Sequence, residues 1–100
     1  MATVSKALFR GAASTSSTTL YTVPASTTAV VTNIVVTNTA ASDASYTLLL
    51  DDVSIATTVT VGASDTSVID LKQVLATTKT IKGLASATTV NFHISGVEIS

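Results

Sequence analysis

The sequence predicts an all-β, single-domain protein, built as a two-sheet antiparallel β-sandwich of about eight short strands. Thr occurs 20 times and Val 13 times in 100 residues, and such β-branched residues suit a pleated surface. Short apolar runs recur between turn signals at the spacing typical of a sandwich or barrel. A chain of this length has room for one hydrophobic core.

The surface is predicted to be poor in charge. Charged residues make up 11% of the chain, and the net charge at pH 7 is −1. A typical domain is about one-quarter charged, so hydroxyls and small apolar groups must dominate this surface. Such a surface offers little charge repulsion against association, which favours a protein covered by copies of itself or by a partner. A soluble monomer with a Thr-rich surface is the alternative.

Disulfide bonds, membrane insertion and nucleic-acid binding are not expected. The chain has no cysteine, which removes a disulfide framework and a thiolate metal site. The first residues lack the apolar core of a signal peptide, and no apolar run approaches the ~20 residues that span a bilayer. Nucleic acid is not expected as a partner, because five cations are scattered among six acids. These cations are Lys6, Arg10, Lys72, Lys79 and Lys82.

Residues 1–18 are predicted to form an N-terminal arm or edge strand followed by a flexible linker, with the sandwich domain in residues 19–100. Residues 3–9 can form a strand, and residues 11–18, GAASTSST, are low in complexity. Two interpretations stay open for the first segment. It is either a tethered arm or an ordinary edge strand with solvated charges.

Residues 29–38 contain the longest β-branched run and are predicted to form the central strand. Pro24 places a turn before this run, because proline cannot donate to a strand ladder. Apolar side chains fall on both parities, which predicts a strand covered on both faces or nearly so. By alternation, one face carries Val30, Ile34 and Val36, and the other carries Val31 and Val35.

Residues 46–61 give a hairpin signal. Tyr46, Leu48 and Leu50 alternate with more polar neighbours, and Asp51-Asp52 follows as a tight turn. The next nine residues show the cleanest period of two in the chain. One face of this strand is predicted to carry Val53, Ile55, Thr57, Val59 and Val61.

The spacing after residue 70 predicts at most one short helical turn, near residues 71–75. Leu71, Val74 and Leu75 lie at i, i+3 and i+4, and Asp70 stands where an N-cap would be. A short strand with Val68 and a strand over residues 79–84 flank this segment.

The closing strand is predicted to contain a β-bulge at Gly96. Val90, Phe92 and Ile94 share one parity, whereas Val97 and Ile99 fall on the opposite one. An extra residue at Gly96 would return the last two side chains to the inner face. The strand count also makes a jelly roll one candidate topology for the sandwich.

The sequence predicts no enzyme, and it identifies no catalytic, cofactor-binding or metal-ligating residue. His93 is the only histidine, no GxSxG signature accompanies it, and its parity predicts an outward-facing strand residue. The carboxylates of Asp51 and Asp52 lack the spacing of a calcium loop. We therefore expect no cofactor.

Three segments resemble virion structural proteins of tailed bacteriophages. They are residues 20–38, LYTVPASTTAVVTNIVVTN, residues 68–75, VIDLKQVL, and residues 90–99, VNFHISGVEI. The resemblance covers most of the chain from Leu20 onward. Ser26 departs from it, since such sequences often have glycine there.

The resemblance implies a non-enzymatic structural protein that decorates and stabilises the capsid as a cement protein. It implies a homotrimer seated over junctions of the major capsid protein, on the capsid surface of a virion, after synthesis in the host cytoplasm. Lys6, Phe9 and Arg10 would be contacts to the capsid if the N-terminal segment is an arm. The alternative is a tail fibre, tail tip or baseplate module that binds a receptor or glycan during host adsorption. A compact chain without coiled coil or repeats favours the capsid.

Overall fold

Eight antiparallel strands build the structure, a computed structural model that describes residues 2–100. In chain order they are β1 (Thr3–Ala12), β2 (Thr18–Thr22), β3 (Thr28–Asn38), β4 (Ala44–Leu50), β5 (Val53–Val61), β6 (Thr66–Leu75), β7 (Thr80–Ala85) and β8 (Val90–Ile99). Met1, with which the predicted N-terminal segment begins, lies outside the described residues. The predicted all-β sandwich of about eight strands is confirmed.

The strands form two four-stranded sheets with jelly-roll topology. Sheet A has the order β1-β8-β3-β6, and sheet B has the order β2-β7-β4-β5. The first half of the chain pairs with the second in nested order, β1 with β8, β2 with β7, β3 with β6 and β4 with β5. A long antiparallel ribbon folded over itself in this way is a jelly roll, the candidate topology of the sequence.

The core lies between the sheets and is centred on Phe92. The ring of Tyr46 meets the Phe92 ring edge-on, with centroids 6.2 Å apart and an interplanar angle of 77°. Each large apolar side chain moved from water into this core contributes about 1.5–3 kcal/mol. The largest fully buried side chains are Phe92, Ile34, Leu48, Ile81, Ile94, Val23, Val31, Val36 and Val90.

A bulge in β3 changes which of its valines face the core. The pairing with β8 shifts between Val31 and Asn33, so Thr32 has no opposite residue on β8. The Thr32 hydroxyl instead donates a hydrogen bond to the Ser95 carbonyl at 3.1 Å. Val31 therefore faces the core and Val30 faces outward, which reverses the prediction for this pair.

The predicted bulge at Gly96 is wrong. Gly96 pairs directly with Val31 of β3 and Lys6 of β1, and the extra residues lie on those two neighbouring strands. Gly96 is itself buried on the inner face, whereas Val97 is half-buried on the outer face. Strand β8 thus keeps its alternation, and glycine is needed because the chain of Val30 comes close at this point.

The predicted helical turn near residues 71–75 is absent, because β6 continues as a strand to Leu75. Leu71 and Leu75 point toward the core, while Val74 points outward with 67% of its surface exposed. The helix-like spacing is a coincidence of one outward-facing valine among inward-facing leucines. Antiparallel pairing of eight β6 residues with β3 outweighs the local N-cap signal of Asp70.

In strand β5, most of the apolar side chains that the sequence places on one face are exposed rather than buried. Its pairing with β4 shifts twice, and Thr58 has a positive φ of 47°, as expected at a bulge. Val53 and Ile55 stay 66% and 40% exposed on this edge strand. The turn before it is as predicted, since Asp51 and Asp52 both have positive φ, which matches the twist of a two-residue hairpin.

Asn38 ties the end of β3 to three other segments. It is 2% exposed, and its amide nitrogen donates to the Ser42 carbonyl at 2.8 Å and the Gly62 carbonyl at 3.3 Å. Its side-chain oxygen accepts from the Ala40 amide and the Thr89 hydroxyl at 3.1 and 3.2 Å. A buried amide with both ends bonded fixes the loops at this end of the sandwich.

Replacing Asn38 by alanine is expected to lower the free energy of unfolding by about 2 kcal/mol, because the carbonyl groups of Ser42 and Gly62 lose a donor and the Thr89 hydroxyl loses an acceptor. Asn33→Ala on the outer side of the same strand is the matched control and should change stability by less than about 0.5 kcal/mol. Urea unfolding of both variants measures the difference. Equal losses would contradict the role of Asn38.

Candidate functional site

The N-terminal segment, where the sequence places candidate contact residues, is an edge strand of sheet A. Strand β1 pairs with β8 from Thr3 opposite Ile99 to Ala12 opposite Asn91. Leu8 is 8% exposed and belongs to the core. In this structure residues 3–12 therefore lie along the sheet rather than extending away from it.

Lys6 belongs to a polar cluster that joins the two sheets. Its Nζ lies 3.3 Å from Oε1 of Glu98 on β8, and the Tyr21 hydroxyl on β2 donates a hydrogen bond to the same carboxylate. The hydrogen bond from Tyr21 is the largest influence on Glu98, and it lowers the pKa of this carboxyl below its usual range, with a smaller contribution from Lys6. Burial and the Glu98 charge raise the pKa of the Tyr21 hydroxyl. The cluster acts as a clamp between β1, β2 and β8.

Replacing Tyr21 by phenylalanine is expected to raise the Glu98 pKa toward its ordinary value of 4.5, because the carboxylate loses its strongest hydrogen bond. In the native chain the lowered pKa means that folded Glu98 binds its proton less tightly than unfolded Glu98. The clamp's stability is therefore present above pH 4.5 and is lost as the pH falls through the lowered folded value. NMR titration of the Glu98 carboxyl carbon measures the shift.

The matched control is Tyr46→Phe, whose hydroxyl contacts Ser67 and not Glu98. It should leave the Glu98 titration unchanged. A Tyr21→Phe titration that coincides with the native one would show that the hydrogen bond does not set this pKa.

Phe9 and Arg10 point to opposite sides of sheet A. Phe9 lies opposite Ile94, which is fully buried, so its half-buried ring points to the inner side over Gly11. Arg10 lies opposite His93, and both side chains are exposed on the outer side. The structure thus does not bring Lys6, Phe9 and Arg10 into one cluster. The predicted outward orientation of His93 is confirmed.

The outer face of sheet A carries a row of large apolar side chains across β8, β3 and β6. Val97, Val30 and Val74 lie directly opposite one another on β8, β3 and β6. Val35 and Val68 form a second cross-strand pair farther along. The six large apolar side chains of this face, hereafter the valine face, are Val30, Val35, Val68, Val74, Val97 and Ile99.

The valine face is open to solvent within the chain. Val68 and Val74 are 64% and 67% exposed, and the other four members are half-buried by their neighbours in the sheet. Four titratable side chains, Arg10, Asp70, Lys72 and His93, accompany them on this side. An exposed group of apolar side chains rimmed by polar ones is the kind of surface that proteins use for contact with another protein.

The outer face of sheet B differs in composition. Leu49 lies between Lys82 and Ser54, Leu84 lies opposite Thr47, and the remaining positions are mostly hydroxyl side chains. Lys82 forms an ion pair with Asp52 at 2.7 Å. The two outer faces are thus unequal, and the apolar one belongs to sheet A.

A shallow pocket of about 170 Å³ opens on sheet B. It is lined by Thr15, Ser45, Tyr46, Thr47, Thr58, Leu84, Ala85 and Ser86, a set without carboxylate, histidine or cation. Among residues 2–100 no group of three or more His, Asp or Glu side chains is placed to hold a metal ion. No helix in this part of the chain is long and apolar enough to cross a membrane.

No protein-family model matches the chain, and no curated protein matches it.

The sequence analysis did not predict two of the features described above, the Tyr21–Glu98 contact and the valine face. The Tyr21–Glu98 contact joins residues 77 positions apart on different sheets, so no local pattern could reveal it. The valine face had a signal, namely the apolar residues on both parities of β3. That signal was assigned to the wrong valine because the bulge at Thr32 has no sequence signature.

Proposed function

We propose that the chain is a non-enzymatic virion structural protein of a tailed bacteriophage, which decorates and stabilises the capsid as a cement protein. The observation that supports this proposal in the structure is the valine face, an apolar surface on one sheet of a small, charge-poor sandwich. The resemblance of three segments to phage virion proteins supplies the kind of partner. The capsid surface is the location, and the host cytoplasm is the place of synthesis.

In this proposal the valine face binds the major capsid protein. Removing apolar side chains such as Val68 and Val74 from water favours the bound state. Binding to the assembled lattice but not to free subunits would stabilise the lattice by mass action. Arg10 lies at the edge of this face on β1 and could pair with an acidic group on the capsid.

The resemblance also predicts a homotrimer over junctions of the capsid lattice. The dense coverage of such a particle suits a surface with a net charge of only −1, because neighbouring copies repel one another weakly. The sedimentation equilibrium experiment described below measures the oligomeric state.

Immunogold electron microscopy of intact virions, with antibody to this chain, tests the proposal. Gold spread over the head is the expected result. Gold confined to the tail or its tip would contradict capsid decoration and support a fibre, tip or baseplate module in host adsorption. Virions that carry no gold would contradict both placements.

A further inference from the structure

Strand β6 exposes a free edge with a regular outward stripe. It is the last strand of sheet A, and its pairing within residues 2–100 is with β3 alone. Alternate side chains of β6 point outward and are exposed. These outward residues are Val68, Asp70, Lys72 and Val74. An edge strand of ten residues presents unpaired backbone N–H and C=O groups that can pair with another strand.

The stripe is complementary to itself. Along the stripe the side chains run valine, acid, base, valine. An antiparallel second copy placed with Leu71 opposite Leu71 therefore puts valine opposite valine and acid opposite base. In that register Val68 lies opposite Val74 of the second copy, and Asp70 lies opposite Lys72. The two-fold axis repeats each contact, which gives two valine pairs and two ion pairs. The same register pairs residues 67–75, almost the full length of the strand.

We propose that a second copy of this chain pairs with β6 in this antiparallel register and joins the two sheets A into one sheet of eight strands. Directly opposed side chains in an antiparallel pair have Cβ atoms about 4.5–5.5 Å apart, which lets opposite charges and valines interact. The contact is isologous, because each copy uses the same strand.

Charge complementarity is what identifies the occupant of this edge. Asp70 and Lys72 form no ion pair within the described part of the chain, so both are available to a second copy. An unrelated strand would have to match an acid and a base two residues apart. A parallel copy in register would place like charges side by side. An antiparallel copy shifted by two residues would leave valine opposite a charged side chain.

The other edges fit a second copy less well. Strand β5 is interrupted by two register shifts and by the positive φ of Thr58. Strand β1 carries a shift at Leu8, and β2 has only five residues. Bulges of this kind twist an edge strand and disturb its ladder. The pairing of β6 with β3 also shifts once, where Leu71 and Lys72 lie opposite Thr32, but the side chains of β6 keep one alternation along the strand.

The inference does not depend on the proposed function, because it concerns contact between two copies of the free chain. The dimer and the trimer that the resemblance predicts are alternative oligomeric states, and the mass measurement below distinguishes them. It would place two valine faces side by side on one continuous surface, since the outward side chains of both β6 strands lie on the same side of the joined sheet.

Charge reversal tests the register. Sedimentation equilibrium of the full chain at low ionic strength should give the mass of a dimer, because exposed ion pairs are screened at high salt. Asp70→Lys or Lys72→Asp alone places like charges opposite each other at two symmetric positions and should raise the dimer Kd by about tenfold or more. The double variant Asp70→Lys/Lys72→Asp restores opposite charges and should return the Kd to within about threefold of the native value.

Rescue by the double variant is the decisive result, since loss of an unspecific association would not be reversed by a second charge change. A native chain that stays monomeric or sediments as a trimer would overturn the proposal. Single variants with the native Kd, or a double variant that stays dissociated, would also overturn it. Circular dichroism of each variant checks that the sandwich is folded.

A thiol on the axis gives a second, independent test. The chain has no cysteine, so Leu71→Cys introduces one thiol per copy, and the two-fold register places it opposite its symmetry mate. Mild oxidation should then produce a covalent dimer. Ser54→Cys on β5, an edge strand of sheet B, is the control, and its thiol should form a covalent dimer much more slowly. Equal rates for both variants would contradict the β6 contact.

Discussion

Phe92→Ala is expected to lower the free energy of unfolding by about 4 kcal/mol, the largest loss among the substitutions considered for this chain. Phe92 has no exposed surface, and it is the largest of the fully buried side chains. Its removal eliminates apolar burial and the edge-on contact with Tyr46, and it leaves a cavity between the sheets. A domain of 100 residues has a total stability on the order of 5–15 kcal/mol, so the variant would be close to unfolding at 37 °C.

Phe92→Leu is the matched control, because it keeps an apolar side chain at the same place and should cost about 1–2 kcal/mol. Urea unfolding followed by circular dichroism measures both values. A loss for Phe92→Ala no larger than that for Phe92→Leu would show that the core is not centred on this ring.

Gly96→Ala is expected to lower the free energy of unfolding by about 3 kcal/mol, although it adds a single methyl group. A Cβ at Gly96 would overlap the carbonyl oxygen of Val30 and lie 2.9 Å from Cδ1 of Leu8. The carbonyl belongs to the bulged part of β3, and backbone cannot move aside as a side chain can. Sheet A must therefore shift to accept the methyl group.

Gly62→Ala provides the control for the effect of replacing glycine as such. A Cβ at Gly62 would meet its nearest neighbour, the Asp65 side chain, at 3.6 Å, and no glycine in the described residues has a positive φ. This variant should be neutral or more stable by up to about 1 kcal/mol. Thermal unfolding compares the two variants. Equal midpoints would contradict the close approach of β3 to Gly96.

The positions of the strands could be predicted from sequence, whereas the residues of each strand that face the core could be predicted only in part. The turns at Pro24 and Asp51-Asp52 and the β-branched runs between them mark strand ends by local chemistry. Bulges have no comparable signature. The extra residue at Thr32 moved Val30 outward, and Val53 stays exposed on the edge strand β5 although it lies opposite the buried Leu50.

The candidate site depends on which strands become neighbours, and one sequence does not contain that information. Val97, Val30 and Val74 form one row only because β8, β3 and β6 lie side by side in sheet A. The contact of Tyr21 with Glu98 likewise requires the jelly-roll topology to bring β2 and β8 together. The candidate topology was recognisable from the strand count, but its strand order was not.

Binding of matched variants to capsids tests the central claim most directly, namely that the valine face is the surface that contacts the virion. Val30→Glu places a charge in the middle of that face, and Leu49→Glu places one at the corresponding half-buried position of sheet B. Each variant would be mixed with heads from phage that lack this chain and sedimented with them. The account predicts that Val30→Glu lowers affinity by about tenfold or more while Leu49→Glu binds as the native chain does. Native binding by Val30→Glu, or an equal loss for both variants, would contradict it.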